Sequence, residues 1–178
     1  MNRFILLFSK NSDNQRIIIR QKQKFIDMLQ NEQILQIESE NYTLDKTISV
    51  QNIEKQKKFT KNIFLRKTLV LFVSSTNCND CSTYCLSVIK NDSYSNSKRI
   101  IVFASGYSIR DLFVFYKSNK FNNSVYSLTT LGLPIEKLNM PFMFLIDDKL
   151  TPTHFFIPRK EMPYLTDKYL SLIKKQLE

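Results

Sequence analysis

The order of hydrophobic patterns along this chain predicts an α/β protein built on a mixed sheet, and three observations carry that prediction. From residue 66 onward, apolar runs of strand length alternate with helical periodicity in the order strand, helix, strand, helix, strand, strand, strand, helix. The first run, Thr68-Leu69-Val70-Leu71-Phe72-Val73, is continuously apolar, as a central strand covered on both faces must be. The turn Asp147-Asp148-Lys149-Leu150 folds the last two strands into a hairpin, which a closing helix follows. With 178 residues the chain is long enough for one domain with a sizeable core.

The first 65 residues carry weaker patterns. Phe4-Ile5-Leu6-Leu7-Phe8 follows Arg3, but the run is shorter than the roughly 7–15 apolar residues of a signal peptide and the ~20 of a spanning helix. It reads as a strand or short helix, or as the start of a chain whose export signal is missing. Ile17-Ile18-Ile19 is β-branched and suits a strand. Phe25, Met28, Leu29, Ile34 and Leu35 have helical spacing, with Asn31 as a point of interruption, Leu44 to Ile53 alternates loosely as an exposed strand does, and Asn52 to Lys61 reads as helix or loop. Residues 1–65 are therefore expected to form an N-terminal extension packing on the sheet, with the main domain spanning 66–178.

In the main domain, Lys67–Ser74 reads as the central strand. A helix follows from about Asn79 to Lys90, with Tyr84 and Val88, and Cys85 and Ile89, at i,i+4 spacing, and Asn91-Asp92-Ser93 stops it. Arg99–Ala104 is the second strand. Gly106-Tyr107-Ser108 turns into a helix in which Ser108 is the N-cap and Asp111 completes an acidic capping box, with Leu112, Phe115 and Tyr116 on its apolar side. Val125–Leu128 and Phe142–Ile146 are strands, His154–Ile157 is the second arm of the hairpin, and Glu161–Leu177 closes the fold as a helix.

Composition excludes more than it assigns. The net charge of +10 comes from scattered basic residues, such as Arg20-Gln21-Lys22-Gln23-Lys24 and Glu54-Lys55-Gln56-Lys57-Lys58. They are diluted with Gln and Glu and lack an RNA-binding aromatic motif, so the reading is a solvated surface with no nucleic-acid partner. Proximity to an acidic membrane surface stays open, since each nearby cation contributes on the order of 1 kcal/mol. There is no Gly-rich phosphate loop and no Ser/His/Asp set. With His154 as the sole histidine, there is also no second one for a Cys/His nucleophile.

The chemistry concentrates in Cys78-Asn79-Asp80-Cys81, directly after the central strand, in a chain with three cysteines in all. Amides at a helix N-terminus stabilise a thiolate, and two intervening residues bring the second sulfur within bonding reach. This is the layout of thiol-disulfide exchange. Asp80 acts against the thiolate at Cys78, although its charge suits the helix dipole.

On these residues the chain resembles the thioredoxin-like superfamily over about residues 66–178, and within it the redoxin or TlpA-like branch. Met140-Pro141 falls where that fold keeps its cis-proline. About 60 residues separate Cys81 from Pro141, as in the branch with an insertion between the two. The hairpin and Pro158-Arg159-Lys160-Glu161 are similar to thioredoxin-like proteins of the Bacteroidota cell envelope. The resemblance implies a thioredoxin-like three-layer sandwich with a central mixed sheet. It also implies a thiol-disulfide oxidoreductase with Cys78 as nucleophile and Cys81 as resolving thiol. Met140, Pro141, Asn79 and Asp80 would meet the substrate, and no cofactor is called for. Partners would be protein thiols and disulfides, in the periplasm or cell envelope, with the cytoplasm as the alternative.

The departures are specific. Asn77 stands where thioredoxins carry Trp, Asn79-Asp80 replaces Gly-Pro, Met140 replaces Thr or Val, and Phe72 occupies the place of the buried acid six residues before Cys78. The alternative function is a non-catalytic thioredoxin-like binding module, with metal as one ligand. Cys81-x-x-x-Cys85 has the form of a Sco-type copper site, yet Met140 stands where those proteins have histidine. Cys78, Cys81, Cys85 and His154 supply the ligand types of a zinc site without its second knuckle. Peroxidase chemistry is disfavoured by Ser74-Ser75-Thr76-Asn77, which lacks the peroxiredoxin Pro and Thr. A buried inert thiol at Cys85 and a structural His154 are the simpler readings.

Overall fold

A computed structural model describes residues 2–91, 99–119 and 123–177. The chain divides into two compact units, Met1–Leu35 and Gln36–Glu178. The first is helical throughout its described length, as the larger part of α1 (Asn2–Glu40). Ile17-Ile18-Ile19, expected as a strand, therefore lies in a helix. The β-branched penalty is only tenths of a kcal/mol per residue, and the flanking Arg, Gln and Lys are good helix formers. No Gly or Pro interrupts this stretch. The helical spacing of Phe25 through Leu35 is met, and Asn31 does not interrupt it: the helix runs on to Glu40.

The second unit contains one seven-stranded sheet in the order β2-β1-β5-β4-β3-β6-β7. Its strands are β1 (Ser49–Asn52), β2 (Lys57–Phe59), β3 (Thr68–Ser74), β4 (Ile100–Ser105), β5 (Ser124–Leu128), β6 (Phe142–Ile146) and β7 (Pro152–Phe156). Strands β3, β4 and β5 run parallel, joined through α2 (Asn79–Asn91) and α3 (Ile109–Asn119), while β6 and β7 return antiparallel and α4 (Pro163–Leu177) ends the chain. The mixed sheet and the element order from residue 66 match the sequence expectation. Asp92 and Ser93 of the expected helix stop lie outside the described residues.

Asn52 to Lys61, expected as helix or loop, instead forms the β1–β2 hairpin and a short 3-10 turn (Thr60–Asn62). Lys55 takes the left-handed conformation at φ 65°, and the Asn52 side chain accepts the Gln56 backbone N–H at 2.8 Å. All three residues of β2 are exposed, so no alternation marked it as a strand.

Each central strand sends alternate side chains to opposite faces. Leu69, Leu71, Val73, Ile100, Val102, Met143 and Leu145 pack in one core cluster with Leu86 and Ile89 of α2, Leu112 of α3, and Leu170 and Ile173 of α4. Val70, Phe72, Phe103, Phe142 and Phe144 join the other, covered by Leu44, Phe64, Leu133 and Leu150 from loops and by Ile135 from a short 3-10 helix (Pro134–Leu138). Fully burying one such side chain is worth about 1.5–3 kcal/mol relative to leaving it exposed. The end of α1 is fixed within this unit: Ser39 Oγ accepts the Ile135 N–H at 3.0 Å, and Glu40 Oε1 accepts the His154 N–H at 2.9 Å.

Candidate active site

The site begins where β3 leaves the core. Ser74 and Asn77 clip the loop shut. The Asn77 side chain accepts the Ser74 N–H at 2.6 Å, and the Asn77 N–H returns to the Ser74 carbonyl at 2.9 Å. Ser75 prolongs the pairing with β4 by donating its N–H to Ser105 O at 2.9 Å. Beside it, Gly106 has φ +73°, and any Cβ there would collide with the Ser75 side chain, so the crossing needs glycine.

Cys78 sits just before the first residue of α2, its carbonyl taking the Ser82 N–H at 3.1 Å and its Sγ lying 3.3 Å from the Cys81 N–H. That amide points from the positive end of the helix dipole, the environment that favours a thiolate once the pair is reduced. Cys78 and Cys81 are joined as a disulfide, with Cα atoms 5.2 Å apart. Cys78 is exposed and Cys81 half-buried. Asn79 and Asp80 between them are exposed as well. Asp80 Oδ2 meets Lys160 Nζ at 3.3 Å, which offsets its charge beside the pair.

The Met140–Pro141 step lies level with the end of β3, because Phe72 pairs with Phe142. Thr76 Oγ1 donates to Asn139 Oδ1 at 3.3 Å and ties the loop before Cys78 to the loop before Pro141. Here the structure corrects the sequence expectation: no described peptide bond is cis, and Met140–Pro141 is trans. Asn139 makes the reversal in the left-handed conformation at φ 51°, ψ 36°, so the chain reaches β6 through the ordinary isomer. Upstream, Glu136 organises the same loop by accepting the Leu131 and Leu133 N–H groups at 3.1 and 2.9 Å and the Thr130 hydroxyl at 2.8 Å.

The other two candidates lie elsewhere. Cys85 is fully buried in the helix-covered core, and burial pushes its thiol up to about 12. His154 is exposed in β7 at φ 57°, where pairing with β6 slips, and its ring contacts Thr153 Oγ1 at 2.9 Å. Its carbonyl accepts the Tyr169 hydroxyl at 2.8 Å, a phenol whose burial raises its pKa. Among the described residues no three of His, Cys, Asp and Glu converge on a point that could hold a metal.

Thr76, Asn139, Glu136 and Lys160 escaped sequence reasoning. Asn139 carried a usable signal, since Asn tolerates the left-handed region. Lys160 carried none, being 80 residues from its partner.

No protein-family model matches the chain, and no curated protein matches it. Solved structures do match. A candidate protein disulfide isomerase from Bacteroides thetaiotaomicron superposes at TM-score 0.53 with 13% identity, over 76% of this chain and 88% of that one. A candidate electron transfer protein from Aquifex aeolicus gives 0.50 with 14% identity, over 72% and 90%. A candidate electron transport protein from the same organism gives 0.50 with 14% identity, over 73% and 95%. At such identities the likeness is one of fold. Taken with a sheet in which three parallel strands are followed by an antiparallel hairpin, it makes this chain a protein of thioredoxin-like fold.

Proposed function

We propose that the protein is a thiol-disulfide oxidoreductase that exchanges disulfides with protein partners through Cys78 and Cys81. The observation that carries this is the Cys78–Cys81 disulfide at the N-terminus of α2, with Cys78 an exposed residue. In the oxidising direction a partner thiolate attacks Cys78 Sγ, the intramolecular S–S bond breaks, and Cys81 leaves as a thiolate that takes up a proton. A second partner thiolate then attacks the partner sulfur of the mixed disulfide and expels the Cys78 thiolate. The partner gains a disulfide, and the pair holds two electrons. Reduction of a partner disulfide is the same sequence reversed.

Met140, Pro141, Asn79 and Asp80 line the partner's approach, and the Thr76–Asn139 bond supports this by holding the two loops side by side. The chemistry rests on the elements from residue 66 onward, with residues 1–65 as an extension to them. The negative charge of Asp80 disfavours the Cys78 thiolate, which makes the pair reducing rather than strongly oxidising. The cell envelope is the favoured compartment, because lasting disulfide exchange belongs to oxidising surroundings, with the cytoplasm as the second reading. Among the described residues, no helix is long and apolar enough to cross a membrane.

One observation favours a second reading, a binding module with little turnover. At the place of the buried acid, Phe72 stacks on Phe142 at 4.8 Å, so no carboxylate there takes the Cys81 proton. A single experiment separates the two. Reduced Cys81→Ser should accumulate a mixed disulfide with partner proteins through Cys78, and Cys78→Ser should not. The wild type should reduce insulin with dithiothreitol as electron source. Absence of both capture and turnover would leave the binding module.

A further inference from the structure

We propose that the N-terminal part of α1 is a docking face for an anionic lipid surface. Between residues 14 and 29 the helix carries four cations, Arg16, Arg20, Lys22 and Lys24, against one acid, Asp27. The same stretch and the turn after it expose Ile18, Ile19, Phe25, Ile26 and Leu29, with Ile19 at 65% and Ile18 at 49%. Spacing sorts the two kinds of residue. At 3.6 residues per turn, these five apolar side chains fall within an arc of about 120°, while Arg16, Arg20 and Lys24 recur every fourth residue on the opposite side, with Asp27 among them and the exposed Ile17 at their edge. Lys22 alone interrupts the apolar arc, and its aliphatic stem can lie along that surface while its ammonium reaches out.

Leaving so many large apolar side chains in water is costly, and the charge beside them indicates what covers them. A second copy of the helix would need an unbroken heptad seam. Ile18 and Phe25 share their heptad position with Glu32, and the companion position three residues earlier is held by Gln15 and Lys22, which breaks it. A lipid surface needs no seam. The apolar arc can sink about 5–10 Å into the headgroup boundary, while the cations add on the order of 1 kcal/mol each against anionic headgroups. The helix then lies on the membrane rather than across it, and the chain it belongs to is held at that surface.

Co-sedimentation of the full chain with lipid vesicles tests this. Vesicles of three parts phosphatidylcholine to one part phosphatidylglycerol should bind the protein at low salt and release most of it near 0.5 M, where screening shortens to a few Å. Pure phosphatidylcholine should bind at least tenfold less. The combined variant Arg16→Gln, Arg20→Gln, Lys24→Gln should lower partitioning at least tenfold, and so should Ile18→Ser, Phe25→Ser, Ile26→Ser, each with unchanged helical circular dichroism and unchanged insulin reduction. Equal binding to both vesicle types, or full binding by either variant, would overturn the proposal. Self-association without vesicle binding, abolished by the serine variant, would overturn it in favour of a second copy. Insulin reduction is read separately, so failure of the lipid proposal and failure of the redox reading are distinguishable.

Discussion

The two faces of the sheet are built differently. One is aliphatic and roofed by α2, α3 and α4, with Leu69, Leu71, Val73, Val102 and Leu145 against helical Leu, Ile and Cys85. The other is aromatic and roofed by irregular chain. Phe72, Phe142, Phe144 and Phe155 form a run of contacts with ring centroids 4.8 to 6.2 Å apart, and Phe64 meets Phe103 edge-on at 5.8 Å. A helix offers a regular ridge that branched aliphatics fill. Loops leave uneven space, and wide planar rings occupy it with fewer residues. The Cys78–Cys81 pair sits at the rim of the helical face, at the start of α2, while the aromatic face carries the loop tied to it through Asn139.

Truncation on the two faces should cost different amounts. Phe142→Ala removes a fully buried ring touching three others and should cost about 3–5 kcal/mol, read from urea unfolding. Leu112→Ala on the helical face should fall toward the lower end of about 2–5 kcal/mol, because α3 can settle into the space. A greater loss at Leu112 would break the comparison.

A smaller effect concerns Cys85, the thiol buried in that aliphatic core. Its folded thiol is held up to about 12 against an ordinary 9.0, so its share of stability is present below pH 9 and is lost as pH rises toward 12. In oxidised protein, unfolding at pH 8 and pH 10.5 should show a steeper alkaline loss for the wild type than for Cys85→Ala, by roughly 1 kcal/mol per pH unit. Parallel pH profiles would show that the thiol is not held in the core as described. The smallest effect belongs to the exposed Lys160–Asp80 pair. Lys160→Gln should slow alkylation of reduced Cys78 at neutral pH by less than about twofold at low salt and not at all at high salt, since such exposed pairs are weak and screened.

The same contrast explains what could be read from the chain. The helical face announced itself: the apolar run Thr68–Val73, the i,i+4 pairs in α2 and the Ser108–Asp111 cap are local signals. The cap is present, with Asp111 N–H donating to Ser108 Oγ at 3.1 Å and the Ser108 hydroxyl donating to Asp111 Oδ2 at 2.6 Å. The Cys78-x-x-Cys81 placement was legible for the same reason. Before residue 66 the signals were not local. β2 is a strand through its partner β1 and shows no periodicity, and Ile17–Ile19 is helical through its neighbours. The isomer of Met140–Pro141 depends on the turn at Asn139, and the Lys160 contact on a fold that closes 80 residues. Both lie beyond what spacing along a sequence encodes.

Cys85 gives the molecule a clock of its own. It lies one helical turn beyond Cys81, sealed in the core at 0% exposure, while Cys78 and Cys81 are masked from alkylating reagents by their disulfide. In the oxidised protein any label that enters must therefore enter at Cys85, and only when the helices lift from the sheet. The labelling rate of the unmodified protein thus reports how often its core opens, with no added probe and no engineered residue.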